Sequence, residues 1–179
     1  MFKVKLVHEK AIKPSKNHKL DAGFDLYALG EVSIAPRSQM IVDTGIELVE
    51  LPDVYKINWS TAMLIWPRSG LDAQFALTTG AGVVDYLYRG QVLVLLKNES
   101  DDRVIIPYGK AIAQALIQPV WVGDLEVVDY SIESERGNRG GIAEIYNGTT
   151  RNFVDIGFAP KDKYTGGSLG FAYRDRTEE

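Results

Sequence analysis

The apolar residues of this chain come in short runs, and that punctuation limits the fold more than any other feature. The two richest, AMLIW (Ala62 to Trp66) and VLVLL (Val92 to Leu96), have strand length. Neither approaches the roughly 18 apolar residues needed for a membrane-crossing helix. The runs, many of them β-branched, lie at Lys3 to Val7, Val32 to Ile34, Gln39 to Val49, Met63 to Trp66, Gln91 to Leu96, Val104 to Ile106 and Ala111 to Val120. Gly, Pro, Asn and Asp separate them, which predicts an all-β chain of many short strands in a barrel or sandwich. The one helical stretch, Leu71 to Leu77, follows Ser69, an N-cap side chain, and is barely two turns long.

Length predicts a single domain with a real core. The composition shifts after Arg136: the last 43 residues hold 8 of the 17 glycines, with Tyr146, Phe153, Phe158, Tyr164, Phe171 and Tyr173 among them. Residues 1–136 therefore read as the β domain and 137–179 as an arm or wrap without a core of its own. The N-terminus, MFKVKLVHEK, lacks the apolar centre of a secretion signal. Cysteine is absent, which excludes disulfides and thiolate metal sites and fits a cytoplasmic protein. Two histidines, His8 and His18, cannot build a His-rich zinc centre. A net charge of −4 argues against nucleic acid as a partner. A phosphate ligand would need a divalent cation or locally placed arginines.

Five segments carry chemistry. GAGVVDYLYRG (Gly80 to Gly90) places Asp85 and Tyr88 in a turn between apolar strands. Asp85 either caps that turn or works as a base, since a carboxylate is ionised at neutral pH. Tyr88 is either a half-buried strand residue or a wall against a ligand. PRSGL (Pro67 to Leu71) sets Arg68, Ser69 and Gly70 ahead of the short helix, where a guanidinium, a hydroxyl and backbone N–H groups make an anion seat or an ordinary turn. DAGFDLYA (Asp21 to Ala28) supplies Asp25 ahead of a strand, and GKAIAQ (Gly109 to Gln114) supplies Gln114. Asp25 suits a turn, an Arg68 pair or a metal; Gln114 suits a ligand or its own backbone. The fifth segment is ERGNRGG (Glu135 to Gly141).

Taken in chain order the segments resemble the trimeric deoxyuridine triphosphatase (dUTPase) family, over about the first 141 residues. The resemblance implies a distorted jelly-roll barrel, hydrolysis of dUTP to dUMP and pyrophosphate, and three subunits sharing active sites. It implies that Asp85 activates a water against the α-phosphorus and that Tyr88 excludes a 2′-hydroxyl by packing on the sugar. Arg68, Ser69 and Gly70 would meet the phosphates, and Gln114 the α-phosphate region. Asp25 would hold Mg²⁺ through water, in keeping with that ion's reluctance to dehydrate. Uracil would enter a narrow hairpin, Thr78 to Val83, read by main chain at Thr79, Gly82 and Val83, with Gly80 and Gly82 allowing close approach.

Two departures stand out. Leu87 occupies a position where the family usually has Asp. In the fifth segment Arg136, Gly137 and Gly140 match a γ-phosphate loop, but Gly141 replaces the Phe that stacks on uracil, and Ile142, Ala143 and Glu144 follow it. Losing such a stack costs about 1–3 kcal/mol. Phe171, or Tyr146, is the candidate substitute. The stretch Lys56 to Ile65, with Trp59, is longer than the family's usual approach to PRSGL. The related dCTP deaminases need a Glu where Leu95 stands, which argues against deamination. A nucleotide-sensing or protein-binding relative with weak or no turnover is the alternative reading.

Overall fold

Side chains on a strand alternate between faces, so each short run buries one edge and offers the other. The computed structural model, which describes residues 1–130, shows ten strands and one helix in that stretch. Contacts divide the chain into two units, 1–125 and 126–179, and the described strands and helix lie in the first. In chain order the elements are β1 (Lys3–Leu6), β2 (Gly23–Tyr27), β3 (Val32–Ile34), β4 (Gln39–Glu50), β5 (Trp59–Trp66), α1 (Ser69–Phe75), β6 (Leu77–Gly80), β7 (Val83–Val84), β8 (Gln91–Asn98), β9 (Val104–Ile106) and β10 (Ala111–Trp121).

Two four-stranded sheets, in the orders β1-β4-β8-β6 and β2-β10-β5-β7, and a β3-β9 pair make up the all-β fold. Each is antiparallel within. Strand β8 illustrates the logic: Val92, Val94, Leu96 and Asn98 point inward while Gln91 and Leu93 face out. Leu26, Leu48, Met63 and Ile112 join that core at 1% exposure or less. Each such side chain stabilises the fold by about 1.5–3 kcal/mol through burial. Asn98, the one buried side-chain amide among the described residues, donates to the carbonyls of Ile34, Ala35 and Asp102 and accepts from Ser100, so its polar atoms are satisfied. No helix among the described residues is long and apolar enough to cross a membrane.

Strand β4 changes partners midway, pairing with β8 at one end and β1 at the other. The ladder with β8 is interrupted between Asp43 and Glu47, where Gly45 adopts φ +65° and its N–H is held by Asp43 Oδ1 at 2.7 Å. Only glycine suits that left-handed geometry without cost.

Four expectations need correction. Asp25 does not precede a strand; it sits at the centre of β2. The helix begins earlier than Leu71 and ends at Phe75, with Ala76 in left-handed conformation (φ 49°) closing it. Strand β5 begins at Trp59, not Met63, and pairs with β10 as far as Trp59↔Trp121. Lys56 to Ile65 is therefore accommodated largely as extra ladder. Thr78 to Val83 is not a self-paired hairpin either: β6 pairs with β8 and β7 with β5, so the chain crosses between sheets at Ala81–Gly82.

Candidate active site

The register of three strands assembles one group of residues. Asp25 on β2 stands opposite Gln114 on β10, and Gln114 opposite Trp66 at the end of β5. Pro67 and Arg68 continue directly from that end. The Arg68 guanidinium reaches back so that Nε lies 3.1 Å from Asp25 Oδ1, while Gln114 Nε2 donates to the Pro67 carbonyl at 2.9 Å. Both carboxylate and guanidinium are partly shielded, at 16% and 36% exposure. Gly23 makes room for this: a Cβ there would lie 2.6 Å from Gln114 Oε1.

Arg68, not Ser69, holds the N-cap position. Its backbone is extended (φ −84°, ψ 130°), its carbonyl accepts from Leu71 and Asp72 N–H at 3.0 Å, and no side chain caps the helix. Ser69 is therefore already the first helical residue, which leaves its hydroxyl unused as a cap. Ser69 and Gly70 are exposed at the helix start, and nothing lies within 4 Å of a Cβ on Gly70. Asp25, Arg68, Ser69, Gly70 and Gln114 line one cavity of about 440 Å³. Lys16, Gln74 and Phe75 line it too, although the sequence patterns did not single them out. Gln74 was legible in principle, because it follows Gly70 at the i, i+4 spacing of one helix face.

A second group forms on the turn after β7. Asp85 and Tyr88 line a smaller cavity of about 190 Å³ with Ile65, Ala81, Val83 and Leu93. The turn is closed by Tyr88 N–H donating to Asp85 O at 3.0 Å, and Arg89 clamps it by donating to the carbonyls of Tyr86 and Tyr88, both at 2.7 Å. Tyr88 Oη donates to Gln91 O at 2.7 Å, which fixes the ring beside Gly90. The Asp85 carboxylate is exposed, and among the described residues no hydrogen bond or ion pair engages it. It can therefore accept a proton without first breaking a contact.

Of the three residues expected to meet the base, Thr79 is half-buried and donates its hydroxyl to Ile65 O at 3.3 Å. Gly82 O accepts Ile65 N–H at 2.7 Å, and Val83 is 69% exposed on the rim. The structure thus brings Asp85, Tyr88 and Val83 together, and separately Asp25, Arg68, Ser69, Gly70 and Gln114; the two linings share no residue. Leu87 is 79% exposed and Leu95 half-buried in β8. Arg136, Gly141, Tyr146 and Phe171 lie outside the described residues.

The dUTPase family model matches residues 9–142. A deoxyuridine 5′-triphosphate nucleotidohydrolase of Arabidopsis thaliana is 35% identical over 139 residues, covering 78% of this chain and 80% of the plant protein. One from Clostridioides difficile is 35% identical over 141 residues, covering 78% and 94%. Among solved structures, the dUTPase of Staphylococcus bacteriophage 80alpha with dUpNHpp superposes with a TM-score of 0.68 at 25% identity, over 80% of this chain and 97% of the phage protein. The match runs through all four well-preserved segments and most of the described strands. By its sequence and its fold, this chain belongs to the dUTPase family.

Proposed function

We propose that the protein hydrolyses dUTP to dUMP and pyrophosphate, with Asp85 as the base. The observation that carries this reading is the unengaged Asp85 carboxylate facing the same small cavity as the fixed Tyr88 ring. Asp85 takes a proton from water as its oxygen bonds to the α-phosphorus. The bond from that phosphorus to the α,β-bridging oxygen breaks, and the pair of electrons leaves with pyrophosphate. Tyr88 stands against the sugar and leaves no space for a 2′-hydroxyl. Main-chain groups of Thr79, Gly82 and Val83 meet the uracil edge at the crossing between sheets.

Arg68, the helix start at Ser69–Gly70 and the second N–H of Gln114 receive the phosphates, where donors and a guanidinium offset negative charge. By the family resemblance Arg136, outside the described residues, would meet the γ-phosphate. Among the described residues no cluster of three ligand-type side chains exists. One carboxylate with one oxygen already on Arg68 fits a hydrated Mg²⁺ carried by the triphosphate rather than a protein cage. Asp25 would hold the ion through water, and when bound it neutralises phosphate oxygens.

The two groups line separate cavities on a single chain. We infer that they meet across subunits of a homotrimer in the cytoplasm, Asp85 of one chain facing Arg68 of another. Pyrophosphate release from dUTP, with UTP, dTTP and dCTP as controls, tests the activity, and no preference for dUTP would end the reading. Asp85→Asn should bind dUTP but lose about 10²–10⁴ in turnover. Mixing Asp85→Asn with Arg68→Ala chains tests the sharing. Random exchange should restore about a quarter of wild-type activity, because that fraction of sites draws both intact residues. No recovery on subunit exchange would put both residues on one chain.

A further inference from the structure

The larger cavity holds a second cation. Lys16 lines it together with Arg68, and its placement is fixed from three sides. Ser15, its neighbour, is tied to Asp25 by a two-way backbone bridge, with N–H to O distances of 3.3 and 2.7 Å. The Lys16 ammonium donates to the Asp21 carbonyl. It also lies 4.4 Å from the centre of the Phe24 ring, a cation–π contact that orients the stem. Phe24 is itself wedged against Phe2, with ring centres 5.3 Å apart. An ammonium carries three donors. The Asp21 carbonyl takes one, and no other acceptor for Lys16 is found among the described residues.

Charge decides what the remaining donors are for. Arg68 and Lys16 face two carboxylates, Asp25 and Asp21, on the same cavity wall. Arg68 is already paired to Asp25, whereas Lys16 makes no ion pair among the described residues. Without Lys16 the wall would be net negative toward an anion of high charge. We propose that Lys16 is a second phosphate-binding cation, which meets the triphosphate in the cavity it shares with Arg68 and strengthens selection for triphosphate over monophosphate. This rests on the reading of the site as a dUTP site.

The test uses the full-length protein. Lys16→Gln keeps a donor for the Asp21 carbonyl and removes the charge; Lys16→Arg keeps the charge. Binding of a non-hydrolysable dUTP analogue and of dUMP is measured by calorimetry for each, with kcat and KM for dUTP alongside. The expected result is an analogue Kd about tenfold weaker in Lys16→Gln, within the range for a charge-assisted hydrogen bond. The dUMP affinity should move less than about twofold, and Lys16→Arg should recover most of the loss. Equal weakening for dUMP and the analogue would make Lys16 a prop for the loop, and no change for either would remove it from the site. Should wild type bind neither nucleotide, the dUTP reading falls by itself. Binding of inorganic tripolyphosphate to wild type and Lys16→Gln then still decides the cation: a loss in the variant supports the proposal and equal binding overturns it.

Discussion

Gly82→Ala puts the crossing between the sheets under direct strain. A Cβ at this position would fall inside contact distance of the Ile65 carbonyl oxygen, with the carbonyl carbon at 3.3 Å and the Ile65 nitrogen at 3.5 Å. Ile65 cannot retreat: it is 6% exposed and held by its pairing with Ala115, one step inside the end of the β5–β10 ladder. The segment Ala81–Val83 has to lift instead. That breaks the 2.7 Å bond from Ile65 N–H to Gly82 O and loosens the Thr79 hydroxyl from Ile65 O. It also disturbs the two-residue pairing of β7. Each hydrogen bond is worth about 1 kcal/mol net, and a buried N–H left without a partner costs more. The expected destabilisation is about 2–4 kcal/mol.

At roughly 3–5 °C per kcal/mol for a unit of this size, the melting temperature should fall by about 6–20 °C. Melting is followed at one fixed protein concentration, because association shifts the midpoint. Gly30→Ala is the control, since nothing lies within 4 Å of a Cβ there, and it should stay within about 2 °C of wild type. Ala81 and Val83 line the Asp85 cavity, so the Gly82 variant should also bind a dUTP analogue more weakly at temperatures where it is fully folded. A melting temperature within about 2 °C of wild type, with unaltered affinity, would show that the approach to Ile65 is not a constraint.

Tyr88→Ala should raise turnover of UTP relative to dUTP by removing the wall held by the bond to Gln91 O; a constant ratio in competition assays would discard the sugar gate. The acid limb of stability offers a second check. The Lys3 hydrogen bond holds the Glu50 carboxyl below its ordinary value of 4.5, so its contribution is present above pH 4.5 and lost as pH falls through the lower folded value. Lys3→Met should therefore show a shallower loss of stability across that window in urea titrations, and an unchanged slope would contradict the pairing.

Much of the fold was legible because alternation survives in the sequence. Strand β8 writes its buried and exposed faces residue by residue, and β3 and β9 do the same in three residues each. Strand β2 was not legible as a strand through Asp25, because an acid at the centre of GFDLY reads as a break. The charge is tolerated there because Arg68 comes across from another part of the chain to meet it. Strand β7 is two residues long, which no periodicity can announce. The helix cap was misplaced by one residue, since Ser69 has the better capping side chain while the extended backbone of Arg68 takes the position. Asp85 and Tyr88 were readable as neighbours because one turn separates them, whereas Lys16 became visible only once the β bridge beside it was known.

The convergence of Asp25, Gln114 and Arg68 depends on register, and the hydrophobic core sets the register. A slip of one residue would turn every side chain of a strand to the opposite face. Leu26, at 1% exposure, anchors β2 so that Asp25 must point outward, and Ala113 and Ala115, both at 0%, do the same for Gln114. Three successive residues, Ala111 to Ala113, are buried, and the pairing with β2 is irregular between Ala111 and Ala113. Ala111, Ala113 and Ala115 share one face at strand spacing, which leaves Gln114 on the other. The polar row across the sheet is therefore specified by apolar residues that never touch a ligand, and a core substitution that shifts this phase would silence the site while leaving Asp85 and Tyr88 in place.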